Sequence, residues 1–310
     1  MTMTADLPTT DFADKLRQQT AAVRLSRSRF GARKTLDKEQ KAEAARVFGA
    51  EAENLSASKR LIDTRHEKYK AVTSLLNQAA TYWKDNTLPW TEEGVRLVNR
   101  DKVEAMEAKF VSLRAELDQA VAALDEAYWE LREKARHDLG DLFNRDDYPS
   151  SIAGQFAINW DYPSVEPPDY LRRINPKLYE QEEARIKARF SQAVDLAETA
   201  FAEEFRKLVE HLTQRLTSRN EEGEFVQFKD STVTNLRAFF ERFKELNIGS
   251  NESLDGLIER AQEIVGGIEP DWLRSSAQLR NSIANRMSAV GTQLDALLVN
   301  RRKRAINLDD

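Results

Sequence analysis

The sequence predicts an all-α fold, an elongated bundle of long antiparallel helices packed as coiled coils, and three features carry that expectation. The first is the stretch from Asp101 to Leu139. Val103, Phe110, Leu117, Leu124 and Leu131 stand seven apart, and Met106, Leu113, Ala120 and Ala127 fill a second column three residues on. Apolar residues at alternating steps of three and four form one continuous stripe on a helix, and four heptads of it make a coiled-coil seam. The second feature is Phe48, Leu55, Ile62, Tyr69, Leu76 and Trp83, again seven apart. The third is composition. Charged residues make up 32% of the chain against 11 glycines and 8 prolines, a balance that suits long solvated helices better than a compact α/β enzyme.

Taken in order, Met1 to Thr10 reads as a loose tail without the basic-then-apolar layout of a secretory signal. Asp11 to about Leu25 predicts a short helix through Phe12, Leu16, Val23 and Leu25. It runs into Arg24, Arg27, Arg29, Arg33 and Lys34, five positive charges with no acid among them, and Gly31 marks a helix end or hinge there. From Asp37 a helix of about fifty residues is expected, spanning roughly 70 Å. Its companion column is weak at Lys59, His66 and Thr73. Asp85 to Asn99 interrupts the helices with Pro89 and Gly94, and Gly94 to Val98 alternates as a short strand. Asp101 with Glu104 predicts a capping box at the start of the organising helix. Past Leu131 the register slips to Ala135, Leu139 and Leu142, a step that locally unwinds a supercoil.

Gly140 to Pro176 differs in composition from the rest, holding five of the eight prolines together with Tyr148, Trp160, Tyr162 and Tyr170. Phe156 to Trp160 alternates as a strand, and Pro163, Pro167 and Pro168 exclude helix around it, so a small two-stranded element fits here. Asn175-Pro176 is a helix start. The helix it opens reaches about Leu216 with Ile186, Phe190, Phe201, Phe205 and Leu212 on its stripe. Two shorter helices follow, Ser231 to Leu246 and Ser253 to Val265, with Gly249 and Gly266-Gly267 as left-handed stops. Pro270 opens a last helix striped by Leu273, Ile283, Met287, Val290, Leu294 and Leu297, which leaves in Arg301-Arg302-Lys303-Arg304. The expected division is a tail with a short basic helix over 1–36, a long-helix region over 37–220 and a C-terminal helical region over 221–310.

Chemistry is scarce in this pattern. A net charge of −5 argues against a surface built throughout to hold nucleic acid. With no cysteine, disulfides, thiolate zinc sites and cysteine nucleophiles are excluded. No apolar run approaches the roughly 18 residues of a spanning helix, so a cytosolic protein without a membrane partner is expected. Ser56 and Lys59 match S-x-x-K, a spacing common on helices and expected here on a solvated face. His66, His137 and His211 lie on three different helices, so no metal or cofactor is expected. Glu92-Glu93 and Asp146-Asp147 fall in connections with no predicted desolvated pocket for acid–base work. The expectation is therefore no enzyme and no small-molecule substrate.

Two binding surfaces remain. The aromatics of the proline-rich segment have a plain reading as a folded cap over the end of the bundle. Their functional reading is a protein-docking surface of Tyr148, Trp160, Tyr162 and Tyr170, because Tyr and Trp anchors dominate interface energies. The rival is nucleic-acid binding through Arg24, Arg27, Arg29, Arg33 and Lys34, with Phe30 stacking on a base, and through Arg301, Arg302, Lys303 and Arg304.

Several stretches considered together add a resemblance. They are SKRLID (58–63), GVRLV (94–98), FAINWDYPSVEPPDYL (156–171), NLRAFFERFKELNI (235–248) and LRSSAQLRNSIANRM (273–287). Their order and spacing resemble a bacterial and bacteriophage family catalogued as a domain of unknown function, over roughly residues 55–298. A basic residue often stands in that family where this chain has Asp161. Its members tend to be encoded near MoxR-type AAA+ ATPases and von Willebrand A-type proteins. The resemblance implies a non-enzymatic adaptor or structural protein that partners an AAA+ ATPase or a second copy of itself, and it brings no catalytic residues.

Overall fold

The computed structural model describes residues 9–306 apart from 222, 224 and 227. Helix α1 (Thr9–Gln19) begins inside the expected tail and stops well before Leu25. The Thr20 hydroxyl donates back to the Leu16 carbonyl at 2.7 Å, and the chain then extends into β1 (Thr20–Ser28). The basic run therefore starts on a strand, not at a helix end.

The long helix expected from Asp37 is replaced by shorter elements. These are α2 (Lys38–Phe48), a 3-10 turn at Ala52–Asn54, strand β3 (Ser58–Arg60) and α3 (Glu67–Asp85), with β2 (Arg33–Thr35) preceding them. Asp37 and Gln40 form a capping box at the start of α2, and Gly49 ends it at φ 61°, a left-handed stop that favours glycine. Phe48, counted in the seven-spaced column, is 78% exposed. That column becomes core only at Ile62, Tyr69 and Leu76.

Strands β4 (Leu88–Pro89) and β5 (Val95–Asn99) pair antiparallel, Leu88 opposite Leu97. Helix α4 (Val103–Leu139) follows, and it buries Met106, Phe110, Leu113, Leu117, Leu124, Ala127 and Leu131 as the heptads require. Val121 and Tyr128 widen the stripe. The expected Asp101–Glu104 capping box is absent. A 3-10 turn at Arg100–Lys102 leads in, and Lys102 at the cap position makes no side-chain bond to the helix.

Strand β6 (Ala157–Asp161) and the short α5 (Asp169–Ile174) precede α6 (Pro176–Thr217), where the Asn175 side chain accepts from the Leu178 N–H as expected of a cap. Then come α7 (Ser231–Leu246) and α8 (Glu252–Val265). Gly249 and Gly267 carry positive φ, whereas Gly266 does not. The single helix expected from Pro270 is two, α9 (Pro270–Ser275) and α10 (Ala277–Ile306). Ser276 separates them, its hydroxyl oxygen accepting from the Leu279 N–H at 3.1 Å.

The all-α expectation is overturned. Helix accounts for 69% of the structure, yet the strands form a four-stranded antiparallel sheet and a two-stranded one. The strand orders are β4-β5-β1-β6 and β2-β3. The two strands that alternation reveals, β5 and β6, do not pair with each other. Between them lies β1, in register with β6 from Arg24 opposite Asp161 to Ser28 opposite Ala157. Val23 and Leu25 alternate with polar residues, but Val23 also continues the helical spacing of Phe12 and Leu16, which is why periodicity alone assigns this stretch to a helix.

The boundaries expected at 36 and 220 are not those of the structure. The chain divides into one unit of residues 1–22, 85–100 and 163–310 and another of residues 23–84 and 101–162. The first has its core on α6, with Phe205 and Leu212 packed among α7, α8 and α10 and Phe190 against Trp90. Phe205 stacks on Phe239 at 5.4 Å and Phe201 meets Phe243 edge-on at 5.0 Å. In the second unit the α4 seam buries against Tyr69, Val72 and Leu76 of α3 and against Ile158 of β6. The heptads thus describe a helix packed on a helix and a strand, and α4 and α6 build separate cores.

Candidate docking site

The aromatic segment is held by α4. Glu107, Phe110 and Arg114 lie at steps of three and four, which places them along one side of that helix. Phe110 is fully buried, and its ring lies 5.2 Å from that of Trp160. Arg114 sits 4.0 Å over the Trp160 ring and donates through Nε to the Ile158 carbonyl at 3.2 Å. The Trp160 indole thereby contacts both an aromatic ring and a cation, which stabilises its orientation.

Glu107 completes the cluster. Its Oε2 accepts from Trp160 Nε1 at 2.6 Å and from the Tyr162 hydroxyl at 3.0 Å. Burial, and then the neighbouring Glu107 carboxylate, pushes the Tyr162 phenol up to about 12, so the hydroxyl stays a donor at neutral pH. Trp160 is half-buried and Tyr162 is 38% exposed. Asp161 between them pairs with Arg24 at 3.4 Å across the β1–β6 ladder.

The remaining two aromatics stand apart from this cluster. Tyr148 is a core residue, stacked on Phe143 at 4.9 Å, with its hydroxyl donating to the Leu61 carbonyl at 2.9 Å. Tyr170 belongs to the other unit and lies 56% exposed on α5. Only Trp160 and Tyr162 are brought together.

The basic run is divided as well. Arg24 is paired with Asp161, Arg27 donates to the Leu76 carbonyl at 2.9 Å, and Lys34 pairs with Asp147. Arg29 and Arg33 are exposed. Phe30 is buried, against the expectation that it could stack on a base. Arg301, Arg302, Lys303 and Arg304 ride on the last turns of α10, and their side chains lie outside the described residues.

The polar groups that hold these elements escape sequence reasoning. Glu107 carries no signal, since any acid flanking a seam looks solvated. Lys59 was expected on a solvated face and is instead buried, its Nζ 2.7 Å from Asp147 and donating to the Leu142 carbonyl at 2.7 Å. Elsewhere, an open groove of about 580 Å³ in the first unit is lined by Phe240, Phe243, Lys244 and Asp255. Burial raises the Asp255 carboxyl although Asn247 donates to it at 2.8 Å. Among the described residues there is no group of three or more histidines or acids placed to hold a metal, and no helix is long and apolar enough to cross a membrane. Comparison with family models, curated proteins and solved structures returns no match to this chain.

Proposed function

We propose that this chain is a non-enzymatic interaction protein, an adaptor or structural component that docks a protein partner through Trp160 and Tyr162. One observation carries the reading. A single carboxylate, Glu107, holds the polar ends of both aromatics while Tyr162 stays 38% exposed. Rings fixed in advance lose little rotational freedom on binding, so their burial converts efficiently into affinity. Tyr and Trp are also the residues that most often dominate an interface. The family resemblance points to the kind of partner proposed, a MoxR-type AAA+ ATPase or a second copy of this chain.

Tyr162→Ala is the sharper test because that side chain is the more exposed of the pair. It is expected to weaken association with a MoxR-type ATPase by about 2 kcal/mol, the scale of a hot-spot residue, while the melting temperature stays nearly unchanged. Trp160→Ala should weaken association and also lower the melting temperature, because that ring packs on Phe110. Association untouched in both variants, with the fold intact, would remove this surface from the function. Sedimentation of the chain alone distinguishes a second copy from an ATPase as the occupant.

A further inference from the structure

The β2–β3 ribbon carries two like-charged pairs. Arg33 stands opposite Arg60, and Lys34 stands opposite Lys59. Residues directly opposite on a ribbon have Cβ atoms about 4.5–5.5 Å apart, and like charges there are destabilising. Because side chains alternate faces along a strand, the lysines share one face and the arginines the other. The lysine face is neutralised from within the unit. Asp147, with its side chain 1% exposed, pairs with Lys34 and lies 2.7 Å from Lys59. The arginine face has no such counterpart. Arg33 and Arg60 are exposed, and neither has a carboxylate partner among the described residues.

We propose that Arg33 and Arg60 form an anion fork that takes a carboxylate from an acidic segment of a protein partner, doing on the outer face what Asp147 does on the inner. Guanidinium groups present planar forks of donors that match a carboxylate bidentately, and the charge-assisted bonds they make are the strong ones. A phosphate satisfies the same fork, but the surroundings favour a protein. Phe30, the aromatic of this run, is 6% exposed and offers no platform to a base. Arg24 and Lys34 already have carboxylates. The cations left are few, whereas affinity for nucleic acid grows with the number of phosphates neutralised. Helix α2, between the two strands, ends in Val47 and Phe48, 75% and 78% exposed, so the same excursion offers apolar surface as well as charge. The inference rests on the reading of the chain as a protein-binding one, and it uses a different surface from Trp160 and Tyr162.

The probes are a labelled oligoglutamate peptide and an oligothymidylate of equal length, titrated into the full chain at low salt by fluorescence anisotropy. Each guanidinium offers a carboxylate charge-assisted bonds that a neutral amide cannot make. Arg33→Gln and Arg60→Gln should therefore each weaken peptide binding about tenfold or more. Arg60→Glu supplies an internal partner for Arg33, so it should abolish peptide binding while leaving the melting temperature equal or higher. Tyr162→Ala should bind the peptide normally, which keeps a failure of the aromatic surface distinct from a failure here. Peptide binding unchanged in Arg60→Glu overturns the proposal, as does binding of neither probe by the wild-type chain. Tighter binding of the oligothymidylate, released by the same substitutions, overturns it in favour of nucleic acid.

Discussion

Asp147→Asn is expected to destabilise the unit formed by residues 23–84 and 101–162 by about 3–5 kcal/mol, the scale for breaking a buried ion pair from one side. The substitution keeps the size of the side chain and removes its charge. Lys34 has a side chain 55% exposed and can turn to water, but the Lys59 side chain is only 5% exposed. Its ammonium would keep the Leu142 carbonyl and lose its counterion. The converse variant should be much milder. Lys59→Met removes the more buried cation and leaves Asp147 with Lys34, so no uncompensated charge stays inside. A larger loss in Lys59→Met than in Asp147→Asn would show that the lysine packs the unit by its stem and that its charge is incidental.

The same carboxylate gives the stability a pH dependence of defined sign. Burial alone raises the Asp147 carboxyl, but hydrogen bonds and charge from Lys34 and Lys59 outweigh it, so the group titrates below the ordinary carboxylate value. A carboxyl depressed in the folded state binds its proton more weakly there than in the unfolded chain. Its contribution is complete above the unfolded value near about 3.9 and disappears as pH falls through the lower folded value. Melting followed from neutral to strongly acidic pH should therefore fall more steeply for the wild-type chain than for Asp147→Asn below about pH 4. Parallel curves would exclude Asp147 as the group responsible.

What was legible in the sequence depended on whether a segment buries a stripe by itself. α4, α6, α7 and α8 each do, and their apolar spacing identifies them within a turn or so of the observed ends. β1 does not, because its apolar residues are few and its pairing with β6 is contributed by residues more than a hundred positions away. Phe48 shows the opposite failure. It falls on a heptad column by coincidence, and Gly49 beside it ends the helix. For the candidate site, Trp160 and Tyr162 stood out because prolines exclude the helical packing that explains large apolar residues elsewhere. Glu107, Lys59 and Asp147 did not, since sequence carries the charge of a side chain and not its burial.

Leu117→Asp is the other substitution with a large expected effect, and it also tests whether the two cores are separate. Leu117 is 1% exposed in the middle of the α4 seam, among residues of the second core only. Deleting a buried leucine side chain to alanine costs about 2–5 kcal/mol through lost transfer energy and the cavity left behind. Aspartate adds the desolvation of a carboxyl with no partner nearby, so the loss should exceed that of Leu117→Ala. Ala115→Asp, two residues earlier and exposed, is expected to fall within about 0.5 kcal/mol of wild type, because its charge stays in water. Hydrogen exchange then locates the damage. Amides of α3 and α4 should lose protection in Leu117→Asp while those of α6 and α10 keep theirs, since stability is distributed in local cooperative units. Equal loss in all four helices would show that the two cores unfold as one, and an unchanged melt would show that the seam of α4 is not what holds this unit together.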